Sequence, residues 1–143
     1  MCIRDRALTT TCTETRVLFY VDSLEYLRRG GRIGSAQRLI GSALAMKPIL
    51  HLAKGRVQPL EKVRTRNGAL ARLEDLAVES AGDRPAGIAV MHLDAVARAN
   101  DLAGRLRHRL PDAEVLVGEV GAVIGSHVGP GMVAVVVSPV PAP

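Results

Sequence analysis

Two stretches of the chain, residues 86–91 and 132–137, are apolar at nearly every position rather than at alternate ones. Successive side chains of a strand point to opposite faces, so a run without polar members expects cover on both. Helices packed on a single face of a sheet do not supply it. The missing cover is a second domain, an oligomer partner, a bound apolar ligand or loops over a central strand. The runs themselves do not choose among these.

A chain of 143 residues holds one domain with a real core and is too short for two ordinary ones. With one Phe, two Tyr and no Trp beside 48% apolar residues, that core is aliphatic, built from Val, Leu, Ile and Ala. Cys2 and Cys12 have no metal-site or disulfide spacing, which fits a reducing cytoplasm. No run approaches the roughly 18–20 unbroken apolar residues of a membrane span, and the start lacks the apolar segment of a signal peptide. The expected organisation is a polar leader at 1–15, artefactual or a remnant of an upstream domain, then a domain at 16–138. A Pro-rich tail at 139–143, unsuited to sheet or helix, extends into solvent.

Residues 17–21 read as a strand ending at Asp22-Ser23. Ser23 is the expected N-cap of a helix whose Leu24 and Leu27 share a face, ended by Gly30-Gly31. Ser35 opens a second helix with Leu39, Ile40, Ala43 and Leu44 as its apolar stripe, and Pro48 closes it. Residues 48–53 and 56–63 make a hairpin about Lys54-Gly55. A helix from Asn67 follows, then a strand at 86–92. Asp94 caps what reads as the longest helix, with Val96, Ala99, Leu102, Ala103, Leu106 and Leu110 facing inward until Pro111. Residues 114–117 and 132–137 are strands around an irregular segment at 118–131. This order predicts a two-layer α/β sandwich, a mixed sheet with helices packed mainly on one face.

Charge narrows the function classes. Residues 16–72 carry twelve Lys or Arg against three Asp or Glu, whereas 73–143 carry five against nine. Such asymmetry implies a basic face that meets an acidic protein, a phosphate or a nucleic acid. A basic nucleic-acid-binding domain is the alternative reading, suggested by the pI of about 9.9. It lacks stacking aromatics and any known reading motif.

Four places carry possible chemistry. His127-Val128-Gly129-Pro130-Gly131 is a tight loop whose amides can approach a ligand, with an imidazole suited to an oxyanion; a histidine that merely caps a turn has the same pattern. Arg28, Arg29 and Arg32 surround a glycine pair, which suits a carboxylate or phosphate, as it suits a solvated helix end. Lys62, Arg64 and Arg66 alternate, which places them on one face of a strand and points to an acidic partner or a solvated edge. His51, His92 and His108 have no metal-ligand spacing, and neither a phosphate loop nor a serine elbow occurs. No catalytic residue, metal or cofactor is expected.

Taken in order, Asp22-Ser23-Leu24 through Gly30-Gly31-Arg32-Ile33, Lys47-Pro48-Ile49-Leu50, Lys62-Val63-Arg64-Thr65-Arg66 and His127-Val128-Gly129-Pro130-Gly131 resemble the DegV family. The resemblance spans about 17–137. It implies the carboxy-terminal one of two α/β domains that enclose a long-chain fatty acid, with the amino-terminal DegV domain missing. It further implies a non-catalytic, bacterial, cytoplasmic subunit that presents the acyl carboxylate to a separate ATP-dependent fatty acid kinase subunit, making acyl phosphate for phospholipid synthesis. By resemblance His127 joins the hydrogen bonds around the carboxylate, Gly129 and Gly131 shape its loop, and Arg32 lies at the mouth. Lys62, Arg64 and Arg66 dock the partner, and Leu39, Ile40, Ala43 and Leu44 line the acyl tunnel. Two departures stand out. Residues 7–15 hold no counterpart of the hydroxyls that the family's other domain supplies, so this piece alone should bind lipid poorly. Ala45 stands where members often have Asn.

Overall fold

A computed structural model describes residues 3–39 and 46–140. In chain order its elements are α1 Ile3–Glu14, β1 Arg16–Tyr20, α2 Glu25–Arg29, a 3-10 helix Gly34–Leu39, β2 Lys47–Ala53, β3 Arg56–Val63, α3 Arg66–Ala81, β4 Ala86–His92, α4 Val96–Arg109, β5 Glu114–Glu119, α5 Ala122–Val128 and β6 Val133–Pro139. The strands form one six-stranded sheet in the order β3-β2-β1-β6-β4-β5. β4 and β5 run parallel, joined by α4, and the other neighbours are antiparallel. The mixed α/β sheet is the predicted class.

Local chemistry explains the boundaries. Lys54 and Gly55 both have positive φ, 51° and 71°, the twist a two-residue hairpin between β2 and β3 requires. The Thr65 hydroxyl accepts the Gly68 N–H at 3.0 Å and starts α3. Pro48, expected at the start of the first hairpin strand, lies in β2, opposite Lys62.

The helix-bearing face holds the larger core. Leu70, Leu73 and Ala77 of α3 and Ala99, Leu102, Ala103 and Leu106 of α4 close over Tyr20, Ile49, Ile88, Val90, Val133 and Val135. The other face is covered too. Phe19, Val21, Leu50 and Ala134 pack beneath Leu27 of α2, Ala36 of the 3-10 helix and Val128 of α5. The two-sided strands therefore find full helical cover on one side and partial cover on the other, where Ala134 is buried but Ala89 and Val136 are only half-buried.

Several expectations need correction. The longest helix among the described residues is α3, with sixteen residues against fourteen in α4. Asp94 does not cap α4: Ala95 holds that position without a side-chain bond, and Val96 is 58% exposed rather than inward. Segment 118–131 is not irregular, since β5 runs to Glu119 and α5 fills 122–128. Ser23 accepts the Glu25 N–H at 3.2 Å, but Leu24 is the cap residue of α2. The second helix is a 3-10 helix as far as Leu39, and Ile40, Ala43 and Leu44 lie outside the described residues. Pro139 closes β6 opposite Ala86 instead of opening a solvated tail, a place where a strand tolerates a missing N–H. Within the segment read as a leader, α1 is followed by Thr15, whose hydroxyl lies 3.0 Å from that of Ser138.

Candidate functional site

The two most distinctive sequence segments, 22–33 and 127–131, interlock. The His127 ring occupies the space a side chain at Gly30 would need, the Tyr26 ring lies over Gly129, and the Asp22 carboxylate lies over Gly131. Each contact depends on a missing Cβ, so three glycines let one segment seat in the other. His127 sits in the last turn of α5 rather than in a free loop. Its Nδ1 is buried and has no hydrogen-bond partner among the described residues, although the residue as a whole is half-buried.

Asp22 is the hub of the assembly. Its carboxylate accepts from the Tyr20 hydroxyl and from Arg66 Nε at 3.1 Å, and Arg98 stands 3.5 Å away. Arg98 also donates to the Gly131 carbonyl at 3.0 Å. Asp22 thus joins the end of β1 to the starts of α3 and α4 and to the loop after His127. Burial pushes its pKa up, but the Tyr20 hydroxyl and the Arg66 and Arg98 charges outweigh that, and it titrates below the ordinary carboxylate range. Burial, then the bond to Asp22, raises the Tyr20 phenol.

The basic residues separate into held and unheld groups. Glu25 takes Arg28 at 2.6 Å and Arg29 at 2.8 Å, and hydrogen bonds from the two guanidiniums bring its carboxyl down to about 2. Arg32 curls back onto the Gly30 carbonyl at 2.9 Å, exposed and with no acidic partner among the described residues. Lys62, Arg64 and Arg66 do not share a strand face. β3 stops at Val63, Arg64 lies in a bend, and Arg66 opens α3 because Thr65 starts a helix there. Of the three, Arg66 alone is drawn into the Asp22 cluster, whereas Lys62 and Arg64 stay exposed without an acidic partner among the described residues.

The family model described as "Uncharacterised protein, DegV family" matches residues 5–140. The chain belongs to the DegV family. A DegV domain-containing protein of Streptomyces coelicolor is 62% identical over 125 residues, 87% of this chain and 44% of that protein. A structure titled as a fatty acid binding DegV family protein from Streptococcus agalactiae superposes with a TM-score of 0.90 at 29% identity, covering 99% of this chain and 51% of that one. DegV of Bacillus subtilis, titled a fatty acid binding protein, gives 0.84 at 36% identity, over 97% of this chain and 50% of that one. This DegV chain spans about half the length of these relatives.

One further surface of this DegV chain lies on the same side of the sheet as α2 and α5. On the face of the sheet away from α3 and α4, register places Val57 opposite Leu52, Val17 opposite Val136, Val136 opposite Ala89, and Ala89 opposite Leu116. The Leu18–His51 pairing sets Leu52 next to Val17. An apolar band therefore crosses all six strands, one side-chain row beyond the row of Phe19, Leu50 and Ala134 that α2 and α5 help to cover. Val57, at the β3 end, is buried, whereas Leu52 is 48% and Leu116 60% exposed, so among the described residues the band is open at Leu52 and at its β5 end. Leu39, the one described member of the expected tunnel stripe, is half-buried against this same side.

Among the described residues no group of three His, Cys, Asp or Glu is placed to hold a metal. No helix there is long and apolar enough to cross a membrane. Sequence reasoning missed Asp22 and Arg98 as members of the cluster. Asp22 read as a strand terminator, and Arg98 read as a polar position on an amphipathic helix. Neither carries a local signal of its partner, which is 44 or more residues away for the Asp22–Arg66 pair.

Proposed function

We propose that this chain forms one wall of a long-chain fatty acid site, with the hydrocarbon along the apolar band and the carboxylate at the interlocked segments. The observation that carries the reading is the band itself: an uninterrupted aliphatic row across six strands, on the same side of the sheet as α2 and α5, whose His127 has a buried Nδ1 with no hydrogen-bond partner among the described residues. Related DegV structures are titled as fatty acid binding, which supports the same assignment. Burying about 14 methylenes at roughly 0.8 kcal/mol each supplies on the order of 11 kcal/mol before ordering costs. The tail therefore gives affinity, and the polar end gives orientation.

In this reading His127 takes part in the hydrogen bonds around the carboxylate, Gly129 and Gly131 fix its loop, and Arg32 lines the mouth. The opposite wall, with further hydroxyl groups, comes from an amino-terminal DegV domain. Ile40, Ala43 and Leu44 continue the tunnel stripe that Leu39 begins. The protein is a non-catalytic, cytoplasmic carrier whose exposed Lys62 and Arg64 meet a separate ATP-dependent kinase subunit that converts the carboxylate to acyl phosphate. Arg66 contributes indirectly, through Asp22. A nucleic-acid role is not favoured, because Arg28, Arg29, Arg66 and Arg72 are all engaged by carboxylates.

The test is to express the chain joined to an amino-terminal DegV domain and extract its lipid. Mass spectrometry is expected to detect C14 to C18 acids at near-stoichiometric amounts. Protein recovered empty from lipid-rich cells would overturn the reading.

A further inference from the structure

We propose that the amino end of α4 is a second binding site, for a small oxyanion of the phosphate or carboxylate class, with His92 as its buried donor. β4 and β5 are the parallel pair of the sheet, and α4 connects them. Their carboxyl ends and the start of α4 therefore open on one crevice, the place where ligands enter sheets of this kind. A cleft of about 540 Å³ lies there, lined by His92, Asp94, Val96, Ala97, Arg98 and Glu119. α4 has fourteen residues and no side-chain cap. Its first N–H groups and its dipole point at the cleft.

A helix start by itself does not make a site, and His92 provides the independent sign. It is only 7% exposed, and its Nδ1 is buried with no hydrogen-bond partner among the described residues. Native proteins seldom leave such a nitrogen unpaired. The nitrogen faces Glu119, whose Oε1 lies 4.0 Å away on the lining of the same cleft. Glu119 in turn shows what the position accepts, since that oxygen takes the Asp94 N–H at 3.3 Å, a carboxylate laid against the helix start. Its side chain is 59% exposed and stands at the end of β5, so it can swing into solvent and yield its place. Asp94 opposes an incoming anion, and Arg98 favours one. Because Arg98 also holds the Gly131 carbonyl and faces Asp22, the second site adjoins the His127 loop and shares Arg98 with the Asp22 cluster.

The test is an NMR titration of the isotope-labelled 143-residue chain at constant ionic strength, with inorganic phosphate in one arm and acetate in the other. Saturable shifts of the Val96 and Ala97 amides that sodium chloride does not produce are expected. Saturation by phosphate alone assigns the phosphate class, by acetate alone the carboxylate class, and by both a general oxyanion site. Glu119→Gln removes the resident competitor and should bind at least threefold tighter, whereas His92→Gln should bind at least threefold more weakly. The absence of saturable shifts in both the parent chain and Glu119→Gln overturns the proposal, as does unchanged affinity in folded His92→Gln. If His92→Gln does not fold, Glu119→Gln decides, and unchanged affinity there overturns it equally.

Discussion

The His127 ring lies directly over the Cα of Gly30, in the space that any other residue at position 30 would fill. A methyl group there would meet Nδ1, the same atom that is buried with no hydrogen-bond partner among the described residues. Gly30→Ala therefore displaces the imidazole rather than merely stiffening the end of α2. The strain should cost about 1–3 kcal/mol, the usual penalty for overpacking. Thermal unfolding should register that modest loss, while lipid retained by the two-domain protein should fall at least tenfold. A variant that keeps its full lipid load would separate His127 from the carboxylate.

Asp22 gives a pH-dependent prediction with a defined sign. Its folded pKa lies below the ordinary value of 3.8, so its contribution is fully present above that value and is lost as pH falls through the folded pKa. Asp22→Asn should destabilise the chain by roughly 1–3 kcal/mol at pH 7, the scale of hydrogen bonds to a charged group. The gap between the two proteins should close as unfolding is followed by urea titration from pH 5 to below pH 3. A gap that persists undiminished at the acid end would mean that Asp22 acts by shape rather than charge.

The sheet was largely legible in the sequence, because it rests on local signals: short apolar runs for β1, β4 and β6, and a Lys-Gly pair between β2 and β3. Its second cover was legible only as a requirement. α5 escaped because Gly125 sits where a side chain would approach Leu93 at 3.2 Å; the glycine that permits close packing also hides the helix. Val96 was misplaced because a 3.6-residue stripe fits equally well one turn too early, and only Ala99, Leu102, Ala103 and Leu106 meet the sheet side. Of the site, His127 and its glycines stood out by their spacing. Asp22 and Arg98 did not, since what makes them important is the distant residues they touch.

That register difference is itself measurable. Leu102→Ala removes a fully buried side chain from the α3–α4 core and should cost roughly 2–5 kcal/mol. Val96→Ala, at an exposed position, should change stability by less than about 0.5 kcal/mol. Equal losses in chemical denaturation would place Val96 back on the inward face.

Arg64 and Arg66, two residues apart, should behave oppositely. Arg66→Ala breaks the bond to Asp22 and should lower stability by about 0.2–1 kcal/mol, since the guanidinium is half exposed. Arg64→Glu leaves the fold intact, being exposed and unheld among the described residues, and under the proposed function should reduce acyl phosphate formation when the lipid-loaded protein is mixed with an ATP-dependent fatty acid kinase subunit. Assays of melting temperature and of phosphate transfer would separate the two effects. Matching losses in both assays for Arg64→Glu would make that arginine structural.

The apolar band offers the most direct probe of where the hydrocarbon lies. Leu52 and Leu116 are its two most exposed members, on β2 and on the edge strand β5. Because each is about half or more exposed in this chain, Leu52→Glu and Leu116→Glu should leave its melting temperature nearly unchanged. In the two-domain protein the same carboxylates would face buried hydrocarbon or the opposing wall, where an unpaired charge is costly. Retained fatty acid should therefore fall at least tenfold for the member that touches the tail, with little change for a member that does not. Full lipid retention in the double variant would show that the band is ordinary surface and that the chain of the acid runs elsewhere.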